Sequence, residues 1–529
     1  MRHAPDACET GYYAAGFWID KDLWASFAEC AKRNAERVAF VAGGRSLRFD
    51  ELLQSAAAIG AGLRAQGVLP GDVVVIHART GIESVQAMLA CAHAGAVMTP
   101  VPPMFSVAQL TAVCTSAKAS AMIALGEAND VARAVEACTA AHVRLAVVPD
   151  ALAHSPDVLA WSRLPGEAAD AQHVPVDPDA LALLVYSSGT TGAPKGVMHS
   201  ANTVRYAIEQ RALLHGVAPG DVSLVVSQFG FVGCVVFGLL FGAMTGITSV
   251  LMRSWDGDAA IRLIEAHGIT YGLLMPTHVH DVLSSPLLAT ANVTSFRRCG
   301  MGGLTRERRL EVKRRLCPQP LPAYGMSECL GYTTCAVGDR DDKELSTDGI
   351  PYPGTHTMVV DDAGVPVEQG VTGAIIVRGP SRFLGYYGAP ELTQRALTQD
   401  GYYRTGDMGW LDSDGYITFV ARQNDIIRRG GINIVPGDLE SVLMKHPRIE
   451  HVAVVGLPDA RLGERGCACV ITRDRQPMAI DELTKFLEEQ GVARYTWPER
   501  VEMFMTFPRS ASLKVQKGAL IAQLTKDAT

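Results

Sequence analysis

Residues 187–196, Ser-Ser-Gly-Thr-Thr-Gly-Ala-Pro-Lys-Gly, gather four hydroxyls, three glycines and one ammonium into ten positions. Glycine admits close backbone approach and positive φ. Successive N–H groups in such a loop form a concavity that binds anions. Ser187, Ser188, Thr190 and Thr191 add donors, Gly189 and Gly192 add backbone freedom, and Lys195 adds a positive charge. The chemistry this suits is holding a polyphosphate. The spacing is not the Gly-x4-Gly-Lys-Ser/Thr of a P-loop. On composition alone, a polar turn between a strand and a helix remains the other reading.

An apolar run over 181–185 predicts a buried strand feeding this loop. Around it, strands alternate with helices. A hairpin is expected over 37–41 and 46–49, then a helix from Glu51 to Gln66 capped by Asp50 and stopped at Gly67. A Val-rich strand follows at 72–77, a helix running to His93, a helix starting near Ser106, and strands at 121–125 and 143–148. Such alternation implies right-handed βαβ units and parallel sheet. Residues 222–252 carry no charge, yet their glycines and a Ser-Gln pair read as strand, packed helix and strand within an α/β core, not as a membrane span.

At 529 residues the chain exceeds one core, so at least two domains are expected. A net charge of −7 gives no basic footprint, which argues against a nucleic-acid partner. Twelve cysteines without C-x-x-C or zinc-like spacing fit reduced thiols in a cytoplasmic protein. No apolar signal-peptide segment is seen at the N-terminus.

The string 183–200 resembles the phosphate loop of the adenylate-forming superfamily, which holds acyl-CoA synthetases, peptide-synthetase adenylation domains and luciferases. Tyr324-Gly325-Met326-Ser327-Glu328 is similar to that family's Tyr-Gly-x-Thr-Glu, and 402–407 and 416–434 resemble its later motifs. The ending Pro508-Arg-Ser-Ala-Ser-Leu-Lys514 resembles Pro-Arg-Thr-x-x-Gly-Lys. The likeness runs from about residue 12 to about 522. Within the superfamily it points to ligases of short- to medium-chain, alicyclic and aryl acids, through 12–18, Val197–Thr203 and 462–465.

The resemblance implies an α/β fold: a large N-terminal α/β domain of several subdomains (1–423) and a small mobile α+β C-terminal domain (424–529). It implies ATP, Mg²⁺ and coenzyme A. Gly302 and Gly303 would lie along the adenine, and Tyr324, Gly325 and Met326 would sandwich it. Ser327 would reach the α-phosphate and Glu328 would hold Mg²⁺. Asp407 and Arg422 would contact ribose. Asn424 would be the hinge, Arg429, Gly430 and Gly431 would face the pantetheine arm, and Lys514 would be the catalytic lysine beside Lys195. A merely structural double-glycine hairpin is the other reading of 430–431. Departures from the pattern are Ala421 and Leu513 where the family has glycine, and Asn424 where it has Lys or Asp.

The acyl pocket is expected to draw on Phe229, Gly230, Phe231, Thr277, Met301, Cys329 and Gly331, with Gly302 beside them. Glycines there leave room for a ring or medium chain. No fixed cation is seen aimed into it, which leans toward a largely apolar monocarboxylic acid. The expected partners are that acid, ATP and CoA. A carrier protein as acceptor, a homodimer and a non-catalytic acyl-AMP sensor are the alternatives left open.

Overall fold

A computed structural model describes residues 7–166, 172–187, 195–430, 432–509 and 515–526. It resolves into two compact units, Met1–His356 with Arg378–Tyr403, and Thr357–Val377 with Arg404–Thr529.

The first unit is built on two large sheets with helices. One runs in the order Gly385–Tyr386, Lys195–Ser200, Leu181–Ser187, Val97–Val101, Val73–Ala78, Ala121–Leu125, Leu145–Val148, Leu159–Ala160. From Leu181–Ser187 onward its pairs are parallel, and the last two strands on the other side are antiparallel. Val73–Ala78 is buried at every position, as a strand flanked by parallel neighbours must be. The other sheet runs Ile350–Pro351, Cys329–Thr334, Gln319–Met326, Arg298–Met301, Tyr271–Leu274, Val222–Val225, Thr248–Leu251, Val38–Ala42, Arg45–Arg48. Its centre is parallel, and both edges turn antiparallel.

Helix Ile82–Ala94 ends on Gly95 at φ 71°, a left-handed cap that glycine adopts freely. Helix Phe49–Ala65 starts one step before the expected cap. Arg48 holds the cap position, and its N–H donates to the Glu51 carboxylate at 2.8 Å, while Asp50 sits inside the first turn. The uncharged stretch 222–252 is strand, helix and strand, with a π-helical segment Val235–Leu240. Its apolar residues divide between two hydrophobic clusters of this unit. Among the described residues no helix is long and apolar enough to cross a membrane.

Among the elements that escaped the sequence reading are the strand Val97–Val101 and the helices Ala128–Ala140 and Ala201–Leu214. The phosphate-loop strand also does not pass directly into a helix. It pairs antiparallel with Lys195–Ser200, and only then does helix Ala201–Leu214 begin.

The second unit carries a four-stranded sheet (His356–Val360, Gly373–Arg378, Tyr403–Leu411, Ile417–Arg422) and a five-stranded one. In the latter, Ile449–Asp459 and Gly463–Thr472 form a long antiparallel hairpin. Arg500–Met503 lies parallel beside it, and Ile427–Arg429 with Ile432–Ile434 completes the sheet. Helices Pro436–Leu443, Ile480–Glu489 and Lys517–Lys526 contribute to its two apolar clusters. The boundary expected at 424 falls inside this unit, in the turn after Ile417–Arg422.

Candidate active site

The strand pair 181–187 and 195–200 sets Ser187 opposite Lys195 and Tyr186 opposite Gly196. Ser188, Gly189, Thr190, Thr191 and Gly192 lie outside the described residues. Gly196 has a packing reason to be glycine. A Cβ there would stand 3.0 Å from Leu184 Cδ1 and 3.2 Å from Tyr387 Cβ.

Residues 381–387 tie this hairpin to the Tyr324–Glu328 motif. The Leu384 N–H donates to Met198 O and the Tyr387 N–H to Gly196 O, each at 2.8 Å. The Phe383 N–H donates to Glu328 O at 2.8 Å. The result brings together two predicted groups that are far apart in sequence. The Tyr386 hydroxyl donates to Glu328 Oε1 at 2.8 Å, and the Lys195 ammonium stands 5.8 Å from the centre of the Tyr386 ring. Burial, then the Glu328 charge, pushes the Tyr386 and Tyr403 phenols up, so both keep their protons. Tyr386 is therefore a fixed donor that orients one carboxylate oxygen and leaves the other for a ligand.

His199 was not among the expected site residues. It is fully buried, and its Nε2–H donates to Ser327 O at 2.7 Å. Burial pulls it down to about 4, so the ring is neutral and must carry its proton on Nε2 to make that bond. It locks the Ser327–Glu328 turn to the phosphate-loop hairpin. Its signal in the sequence was its place inside the 197–203 motif.

The remaining nucleotide candidates of this unit share the carboxyl edge of the nine-stranded sheet. Met301 pairs with Pro322, so Gly302 and Gly303 emerge beside Ala323 and Tyr324. A Cβ on Gly302 would lie 3.0 Å from Ala323 O. A Cβ on Gly325 would lie 2.7 Å from the Gly331 backbone. The motif glycine thus allows the chain to double back from Met326 to Cys329. The Tyr324 ring meets Tyr332 edge-on at 5.1 Å. In open α/β sheets this edge is where ligands bind.

The acyl-pocket candidates divide. Phe229, Met301 and Cys329 are buried within the packing, and Gly230, at φ 91°, abuts Pro102. Phe231 is half-buried, and Thr277 is exposed at the start of helix Pro276–Ser284. Gly331 does not open onto free space. A Cβ there would meet Phe237 Cζ at 2.8 Å and Arg211 Nη2 at 3.2 Å. A fixed cation, unseen in the sequence, occupies that place.

In the second unit, Asp407 and Arg422 face each other across two strands, with Arg422 Nε 2.8 Å from Asp407 Oδ1. Asn424 is exposed in the following turn. Arg429 Nε and Nη2 donate to Glu499 Oε1 at 2.8 and 2.5 Å, and Gly430 takes φ 58°. Gly431, Leu513 and Lys514 lie outside the described residues. Arg509 and Val515, which flank 510–514, form a β-bridge.

Among the described residues no group of three or more His, Cys, Asp and Glu side chains could hold a metal by itself. One oriented carboxylate next to a phosphate loop is nonetheless a donor set that fits Mg²⁺. That ion is held through one or two carboxylates plus substrate phosphates, not in an all-protein cage. The eleven cysteines from Cys30 to Cys469 are all buried and unbridged.

The profile of the AMP-binding enzyme family matches residues 27–387, and that of the AMP-binding enzyme C-terminal domain matches 438–514. The chain is 32% identical to a salicyl-AMP ligase / salicyl-S-ArCP synthetase of Mycobacterium tuberculosis, over 97% of this chain and 92% of that one. It is 29% identical to a medium-chain fatty-acid–CoA ligase of Escherichia coli, over 98% and 93%. Its fold is similar to ATP-bound MatB from Rhodopseudomonas palustris, with a TM-score of 0.84, 23% identity and coverage of 97% and 100%.

Proposed function

This chain belongs to the AMP-binding enzyme family, and on that premise we propose that it is an ATP-dependent carboxylic acid–CoA ligase. In the first step a substrate carboxylate oxygen attacks the α-phosphorus of ATP, giving an acyl-adenylate and pyrophosphate. In the second, the CoA thiol attacks the acyl carbon, giving a thioester and AMP, and the thiol proton leaves to solvent.

The observation that carries this reading is the Tyr386–Glu328 hydrogen bond beside Lys195. It gathers an oriented carboxylate and a cation where two anions must meet. Two anions repel, so positioning and charge neutralisation make up most of the chemistry. Lys195 and the loop 187–196 hold the β- and γ-phosphates. Mg²⁺, held by Glu328 and those phosphates, supplies charge neutralisation. Lys514 offsets charge at the reacting oxygens. Tyr324 and Gly325 bound the purine, while Asp407, oriented by Arg422, accepts from the ribose hydroxyls. The C-terminal domain (424–529) then turns about Asn424, Lys514 withdraws, and the face around Arg429–Gly431 guides the thiol. Such alternation is a gating motion at a hinge. The unbridged cysteines fit a cytoplasmic setting.

Similarity to the salicyl-S-ArCP synthetase supports a second reading, in which a separate carrier protein takes the acyl group. Mass spectrometry of reactions given acid and ATP with either CoA or a phosphopantetheinylated carrier decides between them. Acyl-CoA is the expected product. Acyl-carrier alone would replace this reading with the second.

A further inference from the structure

Glu328 is tied to the segment 383–386 through both its side chain and its backbone. The Tyr386 hydroxyl donates to Oε1 at 2.8 Å, and the Phe383 N–H donates to the Glu328 backbone O at the same distance. A second phenol stands behind the first, since the Tyr403 hydroxyl donates to that of Tyr386. A tyrosine has one proton to give. The oxygen of Tyr386 already accepts from Tyr403, so its proton is committed to the carboxylate.

The donor is held from several sides. Tyr386 pairs with Val197 at the sheet edge, and its N–H donates to Thr393 Oγ1 at 2.9 Å. A Cβ on Gly385, at φ 138°, would stand 2.9 Å from Thr393 Cγ2, so glycine lets Thr393 come close enough for that bond. The Phe383 ring meets the Tyr386 and Tyr403 rings edge-on, at 5.0 and 5.2 Å, and the two tyrosines are 7% and 6% exposed. Hydrogen bonds to an ionised group are roughly twice as strong as neutral ones, so withdrawing Oε1 from this phenol is costly.

The two common divalent cations ask different things of a carboxylate. Mg²⁺ demands near-octahedral geometry and is held through one or two carboxylates plus phosphates, whereas Ca²⁺ takes more oxygens and can engage both of one carboxylate. A carboxylate with both oxygens free serves either ion. One whose Oε1 is spent on a buried, braced phenol offers a single ligand atom, which suits Mg²⁺ and handicaps Ca²⁺. We propose that Tyr386, backed by Tyr403, is a specificity-determining residue for the ion: by withholding Oε1 of Glu328 it sets the preference of the nucleotide site for Mg²⁺ over Ca²⁺. The inference rests on the ligase reading, in which Glu328 holds the ion, and adds the residue that selects it.

The test is calorimetric titration of the full-length enzyme with α,β-methylene-ATP, which cannot release pyrophosphate, at saturating Mg²⁺ or saturating Ca²⁺. The wild type is expected to bind the Mg²⁺ complex more tightly by on the order of tenfold. Tyr386→Phe keeps the ring, removes the hydroxyl, and is expected to erase most of that ratio, chiefly by tightening the Ca²⁺ complex. A tyrosine that merely packs would, when replaced, weaken both complexes in proportion and leave their ratio unchanged, and that result overturns the proposal. Equal wild-type affinities for the two complexes also overturn it, and this measurement needs no variant to fold. Acid-dependent ATP–pyrophosphate exchange with Mg²⁺, run on the same wild-type preparation, separates the inference from the reading beneath it. Exchange together with an unchanged ratio in Tyr386→Phe leaves the ligase and removes the ion role. A ratio that collapses in Tyr386→Phe, with no exchange by the wild type, keeps the ion role while the ligase reading fails.

Discussion

Lys514 stands at the end of a motif whose other members this chain keeps, and the account assigns it the adenylation step alone. Lys514→Ala is expected to lower acid-dependent adenylate formation by about 10²–10³-fold, the loss typical of one preorganised donor at a developing charge. The same variant should turn supplied acyl-AMP and CoA into thioester at near the normal rate. Quench-flow measurement of each half-reaction checks this, and loss of both would remove the division of labour. At this scale the sequence was legible where a residue's type states its chemistry. Glu328, Lys195, Asp407 and Arg422 could be named as candidates from type and motif, and the structure sets Glu328 and Lys195 about one tyrosine and Asp407 against Arg422. Tyr386, His199 and Arg211 were not, because their roles come from partners distant in the chain: Glu328, Ser327 and Phe237. A histidine on a strand or an arginine on a helix does not state by its type which distant group it will face.

The strands that position these groups rely on glycines at points of backbone contact. Gly325 packs against Gly331, where a Cβ would stand 2.7 Å from backbone atoms that cannot rotate away. Gly325→Ala is expected to destabilise the first unit by about 1–3 kcal/mol, as overpacking does. It should also raise the KM for ATP more than it changes exchange at saturating ATP. Urea denaturation with exchange kinetics tests both, and unchanged stability would mean that the two strands part easily. Alternation of apolar runs with helices foretold central strands of both sheets, among them Val73–Ala78, Ala121–Leu125 and Val222–Val225. The hairpin Leu181–Ser187/Lys195–Ser200 was missed because the loop between its strands reads equally as the entry to a helix. Strand Val97–Val101 was missed because a short apolar run next to a helix end has no period of its own.

Across the whole molecule, burial of neutral imidazoles makes stability depend on pH. His77, His199 and His278 are each pulled down to about 4 from the ordinary 6.5, first by burial. Between 6.5 and about 4 the unfolded chain binds protons that the folded one refuses. Stability therefore falls as pH falls through that window and levels off below it. The cost is on the order of a few kcal/mol per histidine. The urea midpoint of the first unit's transition should drop steadily from pH 6.5 to 4.5, and a flat midpoint would contradict the buried-neutral assignment. Two-domain organisation was legible from length and motif order. The grouping of 357–377 with 404–529 was not, since it depends on which sheet a returning strand joins.

The measurement closest to the central claim is exchange of labelled pyrophosphate into ATP by the purified full-length chain, without CoA, across linear, alicyclic and aromatic acids. The account predicts exchange that requires an acid and Mg²⁺, followed by stoichiometric AMP and thioester once CoA is added. Absence of acid-dependent exchange throughout that panel would contradict it.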